Sequence, residues 1–401
     1  MDGRRIEDYK NIVGTGVLAE LFTESRPLRG KRILNINSTF TGGGVAEMLW
    51  SFIPLMNDLG IDMGWRVIHG TPDFFNITKK WHNALQGDRR KISASEKDIY
   101  TSVNEIFASF THIVHDMVVI HDPQPLPLIK YYKKKQPWLW RCHIDLSHPS
   151  PEAWDYLSNF VLRYDRTVIS SEKFVRDDCP GEQSLIAPAI DPLDIKNRKL
   201  SQDRIDNLLA ENGIKTDKPI VAQVSRFDPW KDPFGVIKVF DLIKKEVDCR
   251  LVLLGSIATD DPQGQEVFSD LVEETKDRED ILLINKDSEV LVNAVQSTAD
   301  VIVQKSTREG FGLTVTEALW KKAPVVASDI GGIPLQVKHG ETGYLVPPKD
   351  YGRFAELIVE LLQNPEKGKE MGERGKEYVR ENFLITRLMI DWIKQYQELL
   401  D

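Results

Sequence analysis

The stretch Val301-Ile-Val-Gln-Lys-Ser-Thr-Arg-Glu-Gly-Phe-Gly-Leu-Thr-Val-Thr-Glu-Ala-Leu319 carries the most fold information in this chain of 401 residues. An apolar run, Val301 to Gln304, ends in a polar turn holding Gly310 and Gly312. An amphipathic pattern, Leu313 to Lys322, follows and carries Glu317. A strand feeding a helix through a short glycine turn is the unit of a parallel α/β sheet. Glycine lets a ligand approach the backbone, and a helix start offers unpaired N–H groups and a positive dipole end. Such a place suits an anion or a hydroxyl-rich ligand. Glu309 on the turn and Glu317 about two helical turns further on are the candidate polar groups. Read alone, the stretch is equally a strand-to-helix turn with two solvated glutamates.

The same alternation extends outward through the chain. Strand patterns fall at Arg32 to Ile36, Trp65 to His69, Met117 to His121, Leu139 to His143 and Thr167 to Ser170 in the first half. In the second half they fall at Ile220 to Ser225, Arg250 to Gly255, Ile281 to Asn285, Val301 to Gln304 and Val325 to Ser328. Helical patterns such as Val45 to Leu59 and Phe234 to Lys245 separate them, and Lys367 to Asn382 and Ile385 to Leu400 close the chain. The length exceeds what one core usually serves. Prolines at Pro188 and Pro192 mark a seam, since proline continues neither a helix nor a central strand. The expectation is α/β: two Rossmann-like, doubly wound domains, 1–190 and 191–383, facing across a cleft, with the last helix, 384–401, returning to the first. Doubly wound sheets bind ligands at the carboxyl ends of their strands.

Composition narrows the function. Apolar residues make up 41% and charged residues 28%, and the net charge is -9. An acidic chain argues against general nucleic-acid binding, so a phosphate site here must be a local basic cluster. Cys142, Cys179 and Cys249 are spaced neither as a zinc motif nor as a disulfide framework. No apolar run approaches the roughly 20 residues needed to cross a bilayer, and the segment from Met1 to Glu7 has no signal-peptide pattern. A cytoplasmic protein without membrane or nucleic-acid partners is expected.

Two further turns carry chemistry. Val224-Ser-Arg-Phe-Asp-Pro-Trp-Lys-Asp-Pro233 follows a strand and places Arg226 and Lys231 beside a turn. Arginine grips phosphate oxygens bidentately and lysine acts as a point charge, which suits a diphosphate. By itself the motif reads more simply as surface cations matched by Asp228 and Asp232. Asn37-Ser-Thr-Phe-Thr-Gly-Gly-Gly-Val-Ala-Glu47 places Gly42 and Gly44 as in a dinucleotide fingerprint, but Glu47 occupies the place of its last small residue. A glycine turn admitting substrate and a merely tight turn remain the two readings. His112, His115, His121, His143 and His148 cluster in the first half without a metal-ligand spacing, so no protein-bound metal is expected. His121-Asp-Pro-Gln-Pro125 and His143-Ile-Asp145 follow strands and point to the cleft. No Asp-x-Asp occurs, so Arg226 and Lys231 must supply the countercharge to any diphosphate.

Taken together, these residues resemble glycosyltransferase family 4, whose members have the GT-B fold. The match runs from Glu309 to Glu317, through Pro324-Val-Val-Ala-Ser328 and Gly331-Gly-Ile-Pro-Leu335, to Gly340-Glu-Thr-Gly-Tyr-Leu-Val346. Lys305 stands where the family often has proline. The first half is similar to trehalose glycosyltransferring synthases in several strings. They are Asn11-Ile-Val-Gly14, Pro27-Leu-Arg-Gly-Lys-Arg-Ile-Leu34, Gly42 to Leu49, Lys80-Trp-His-Asn-Ala-Leu-Gln-Gly87, His121 to Pro125, and Arg141-Cys-His-Ile-Asp-Leu-Ser-His148. Retaining trehalose phosphorylases look similar here.

The resemblance implies roles for named residues. Arg226 and Lys231 hold a donor diphosphate, and Glu317 binds ribose hydroxyls. Glu309 with Gly310, Phe311, Gly312 and Leu313 meets the donor and its transferred glucose. His143 contacts the hydroxymethyl side of that sugar, and Gly43 and Gly44 line the diphosphate and acceptor region. Trp81, His82 and Asp122 are the candidate acceptor contacts. The implied reaction is retaining transfer of glucose from ADP-, UDP- or GDP-glucose to glucose, giving trehalose. The chain is then expected to be a homodimer, with Mg2+ as a stimulating ion only. Two alternatives stay open: a phosphorylase using inorganic phosphate, and a non-catalytic sugar-nucleotide binder.

Overall fold

The computed structural model describes residues 3–41, 43–257 and 262–400. The chain divides into two units, Met1–Ala189 with Ile385–Asp401, and Ile190–Leu384. In the first unit, β1 (Arg32–Asn37), β2 (Asp62–Val67), β3 (Met117–His121), β4 (Trp138–Arg141), β5 (Arg166–Ile169) and β6 (Glu182–Leu185) form one sheet. Its order is β2-β1-β3-β4-β5-β6. In the second unit, β7 (Ile220–Val224), β8 (Arg250–Gly255), β9 (Ile281–Asn285), β10 (Val301–Gln304), β11 (Val325–Ser328) and β12 (Tyr344–Val346) are ordered β12-β11-β10-β7-β8-β9. All neighbouring strands are parallel.

Burial on both faces explains the composition of the central strands. Every residue of β3, β4, β7, β10 and β11 is buried, and such strands read as continuous apolar runs. Each of the five carries one polar side chain that is nonetheless buried: His121 in β3, Arg141 in β4, Gln223 in β7, Gln304 in β10 and Ser328 in β11. A polar group in that position needs a partner, and all five lie near the carboxyl ends of their strands.

Strand order sets where ligands belong. In each sheet the winding reverses once, between β1 and β3 and between β7 and β10. Loops leaving the two strands at a reversal run to opposite faces and open a crevice at their carboxyl ends. In the second unit that crevice is flanked by the loops after Val224 and Gln304. In the first it is flanked by the loops after Asn37 and His121.

Three strand assignments differ from the sequence patterns. The pattern placed β2 at Trp65 to His69, but Asp62 already pairs with Arg32 of β1. β2 is an edge strand, mostly half-buried, so its first residues carry no apolar signal. β6 and β12 have no counterpart among the patterns, and both are short edge strands. β6 is mostly polar and exposed or half-buried along its length, whereas β12 is apolar and mostly buried but only three residues long, too short for a pattern.

The helix Ile385–Leu400 belongs to the first unit. It buries Ile385, Leu388, Met389, Trp392, Ile393 and Tyr396, an i, i+3, i+4 stripe. The stripe packs on the helices Lys10–Glu24 and Gly44–Asp58, with Trp392 6.4 Å from Phe52 between ring centroids. Arg387 fixes its start by donating to the carbonyls of Ala187 and Pro188 at 2.8 and 3.0 Å. The first unit's core gathers Trp138, Trp140, Tyr100, Tyr164 and Trp81. Trp81 is 1% exposed and stacks on Tyr156 at 5.0 Å. That corrects its reading as an acceptor contact: the ring is held inside the core, while His82 beside it is half-buried. Among the described residues, no helix is long and apolar enough to cross a membrane.

Candidate functional site

In the second unit the two loops at the reversal are tied to each other. Asp228 caps the turn Pro229–Lys231, accepting from the N–H groups of Trp230 and Lys231 at 2.9 and 3.2 Å. Asp232 follows in a left-handed conformation, φ 46°, and caps the helix Pro233–Ile243 through Gly235 N–H at 3.1 Å. A Cβ on Gly235 would lie 2.2 Å from Asp232 Oδ2, so glycine is required there. Across the reversal, Thr307 N–H donates to the Trp230 carbonyl at 2.7 Å. Gln223 donates to the Lys231 carbonyl at 2.9 Å and accepts from Lys305 N–H at 2.9 Å.

The charges pair across these loops. Lys231 Nζ is bonded to Glu309 Oε2, and Ser306 donates to the same oxygen at 3.2 Å. Lys305 Nζ is bonded to Asp232 Oδ2 and lies 4.3 Å from the Tyr351 ring centroid. Arg226 pairs locally, 3.1 Å from Asp228, with its side chain 56% exposed. The simpler sequence reading matched Arg226 and Lys231 with Asp228 and Asp232; the structure pairs Lys231 with Glu309 instead, because β10 lies beside β7. Lys305 uses the backbone N–H that proline lacks, and its fully buried ammonium clamps the neighbouring loop.

The glutamate loop is supported from behind. Gly312, φ 83°, starts the helix Leu313–Trp320 without a side-chain cap, leaving N–H groups for an anion or hydroxyl. A Cβ on Gly331 would lie 1.7 Å from the Glu309 carbonyl oxygen, and one on Gly332 would lie 2.6 Å from that of Gly310. Gln336 donates to the Phe311 carbonyl and accepts from Thr316. Phe311 itself is buried, 5.8 Å from Phe383 between ring centroids, so the loop offers backbone there rather than that side chain. Glu317 is 2% exposed. One carboxylate oxygen lies 3.1 Å from Lys196 Nζ, and the other is buried without a hydrogen bond. Lys321 bonds the Glu317 carbonyl, Asn197 and Gln296, and burial pushes its pKa down to about 7.

In the first unit, Gly42 lies outside the described residues, while Gly43, φ 85°, opens the helix Gly44–Asp58, again without a side-chain cap. His121 and His143 meet at the carboxyl ends of β3 and β4, Nδ1 to Nε2 at 3.1 Å. His121 Nε2 lies 3.0 Å from Asn35 Oδ1 on β1. His112 and His115 precede β3 and so lie toward the opposite end of that strand. Asp122 adopts a left-handed φ of 62° and accepts from His143 N–H at 2.8 Å. Burial, aided by the Arg141 cation, pushes the His121 pKa down to about 3 and holds His143 well below its usual value. Burial also pushes Asp122 up to about 6, against the His143 hydrogen bond and Arg141, which lower it.

Asp122 gives a pH prediction with a definite sign. Its folded pKa lies above the unfolded value of about 3.9, so the native state binds the extra proton. The contribution is full below about pH 4 and is lost as pH rises through about 6. Asn accepts from His143 N–H equally well and tolerates left-handed backbone. Asp122→Asn is therefore expected to raise the melting temperature clearly more at pH 7.5 than at pH 4.5, where most of the contribution is still present. An equal shift at both values would contradict a buried, titrating carboxyl.

Sequence reasoning missed Asn35, Gln223, Lys305 and Gln336. For Asn35 and Gln223 a signal existed, since each is a polar residue inside an apolar strand run.

Two doubly wound parallel sheets, with glycine-opened helices and paired charges at the points where the winding reverses, define a glycosyltransferase of the GT-B class. The fold matches the crystal structure of an α,α-trehalose-phosphate synthase (UDP-forming) from Burkholderia xenovorans in complex with glucose-6-phosphate. The TM-score is 0.72 at 15% identity, over 92% of this chain and 100% of that one. Residues 35–176 match the family model for the trehalose synthase N-terminal domain, and residues 204–378 match glycosyl transferases group 1. The trehalose synthase of Thermococcus litoralis is 43% identical over 100% of this chain and 97% of its own length. The trehalose phosphorylase of Grifola frondosa is 30% identical over 93% of this chain and 58% of its own. The chain belongs to the trehalose synthase family of group 1 glycosyltransferases.

Proposed function

We propose that the chain transfers glucose from an α-linked nucleoside diphosphate glucose to the anomeric hydroxyl of free glucose, forming α,α-trehalose with retention. The observation that carries this reading is the charge cluster at the second unit's reversal. Lys231 is locked to Glu309, and Arg226 extends half-exposed from the facing loop. Breaking the donor's glycosidic bond puts negative charge on the diphosphate and positive charge on the anomeric carbon. Arg226, Lys231 and the uncapped start of the helix Leu313–Trp320 stabilise the first, and Glu309 sits where it meets the sugar. Groups fixed before the reaction act without reorganising, which makes this the main catalytic contribution. In the first unit, His143 meets the hydroxymethyl side of the transferred glucose, and Gly43 and Gly44 admit the acceptor region. The departing phosphate oxygen takes the acceptor's proton on the same face, so no second carboxylate is needed across the ring. Mg2+ acts on the donor diphosphate rather than on a site of the protein.

A phosphorylase is the second reading, favoured by the likeness to the Grifola protein. The buried, unpartnered oxygen of Glu317 favours a nucleotide instead, because an unpaired carboxylate oxygen is costly and ribose hydroxyls would satisfy it. The test is a product assay with ADP-, UDP- and GDP-glucose, each with glucose and with water alone. Trehalose plus free nucleoside diphosphate is expected with at least one donor. Phosphate-dependent cleavage of trehalose without nucleotide would reverse the choice, and nucleotide binding without turnover would identify a binding protein.

A further inference from the structure

Three adjacent strands of the first unit, β1, β3 and β4, bring Asn35, His121 and His143 into one line of hydrogen bonds. In sequence, His121 and His143 both stand at strand ends pointing to the expected cleft, but only His143 has an implied contact and Asn35 has no implied role. The direction of the line follows from the oxygen of the Asn35 amide facing His121, while its buried Nδ2 has no hydrogen bond. Asn35 Oδ1 only accepts, so the proton of His121 must sit on Nε2, 3.0 Å away. A neutral imidazole carries one proton, so Nδ1 of His121 is bare and accepts. Its neighbour at 3.1 Å is Nε2 of His143, which must therefore be the donor. Nδ1 of His143 is then bare as well. The two ring planes differ by 15°, with centroids 5.4 Å apart, as an in-plane N–H···N bond requires.

We propose that Asn35 and His121 are positioning residues that set the tautomer of His143, so that His143 meets the donor sugar as a hydrogen-bond acceptor through Nδ1. The inference rests on the glucosyl-transfer reading only for the identity of that sugar. Both rings are buried beside the Arg141 cation, which keeps them neutral and the tautomer chain intact. The backbone of His143 is held separately by Asp122 Oδ1. Among the described residues, Nδ1 of His143 has no hydrogen-bond partner and is not a buried orphan. It is left for a hydroxyl that donates. The second nitrogen of a histidine is commonly what fixes the first. Turning the Asn35 amide over would reverse every donor in the line and make His143 a donor instead.

The experiment has two readouts. Nitrogen NMR of the full chain labelled with 15N-histidine, assigned through His121→Gln and His143→Gln, is expected to show both rings protonated on Nε2. A His143 protonated on Nδ1, or a charged ring, would overturn the proposal. This readout needs no substrate, so it stands even if no donor is turned over and the glucosyl-transfer reading fails. Where transfer is observed, His121→Phe is expected to lower kcat about 10–100-fold with little change in KM. His121→Gln should recover most of it, because its amide donates to Asn35 and accepts from His143 with the same polarity. Equal losses in both variants, at equal melting temperatures, would overturn it. A donor whose 6-hydroxyl is replaced by fluorine should be as poor as the 6-deoxy donor, since fluorine cannot donate. Full activity with the fluorinated donor would show that His143 donates.

Discussion

Arg226→Ala is expected to lower turnover about 10²–10³-fold, the typical effect of removing one preorganised electrostatic donor from a transition state. The fold should survive. The Arg226 side chain is 56% exposed, but its partner Asp228, 3.1 Å away, is 12% exposed, so the change should cost more than a fully exposed pair's contribution of about 0–1 kcal/mol. Chemistry has more at stake, because a leaving diphosphate gains charge as the glycosidic bond lengthens and the Arg226 side chain is itself 56% exposed. Arg226→Lys should recover only part of the loss, since a point charge cannot grip two oxygens at once. Lys231→Ala is the less clean experiment. It removes a cation and also strips the partner from Glu309, whose side chain is 10% exposed. The measurement is kcat and kcat/KM with the preferred donor, together with thermal melting. Normal turnover in Arg226→Ala would remove this residue from the site.

Lys305→Met should be the most destabilising single change in the loops around the site, by about 3–5 kcal/mol, the usual cost of breaking a buried ion pair from one side. The Lys305 side chain is fully buried, and that of Asp232 is 20% exposed. Methionine would fill most of the volume but leave the aspartate without its cation. That aspartate already holds a left-handed φ of 46°, a strain of about 1–3 kcal/mol that surrounding contacts must maintain. Burial lowers the Lys305 pKa, and Asp232 works against that shift. Pairing the change with Asp232→Asn removes the orphaned charge while keeping a residue that caps a helix and tolerates left-handed backbone. The double variant should recover at least half of the lost stability in denaturant titrations. Strictly additive losses would mean that the two side chains do not act as a unit. Donor affinity should fall in Lys305→Met as well, because the clamped loop carries Lys231.

Much of the site's chemistry was legible in short windows of sequence. Gly312 was readable as a helix opener from its place between an apolar strand and an amphipathic run, Gly43 entered only through the family resemblance, and Arg226, Lys231, Glu309 and Glu317 stood out beside apolar strands. Partners were not legible. Lys231 and Glu309 are 78 residues apart, and Lys305 and Asp232 are 73 apart; their bonds exist only because β10 lies beside β7. Lys196, which meets Glu317, lay in a polar segment with no pattern to mark it. Trp81 misled for the opposite reason. An aromatic next to a histidine in a polar stretch looks like a sugar contact, yet helical periodicity turns it into the core.

The sequence by itself determined the alternation of strands and helices, the glycine turns between them and the family, because these depend on residues within one or two turns of each other. It also determined the terminal helix Ile385–Leu400, whose apolar stripe repeats over four turns. Tertiary structure decided the order of the strands and hence the two places where the winding reverses. It decided which cation meets which carboxylate, and which short segments complete the sheet edges. Periodicity is a property of neighbours along the chain. Pairing is a property of neighbours in space, and a parallel sheet joins strands whose crossover connections can place them beside any of several partners.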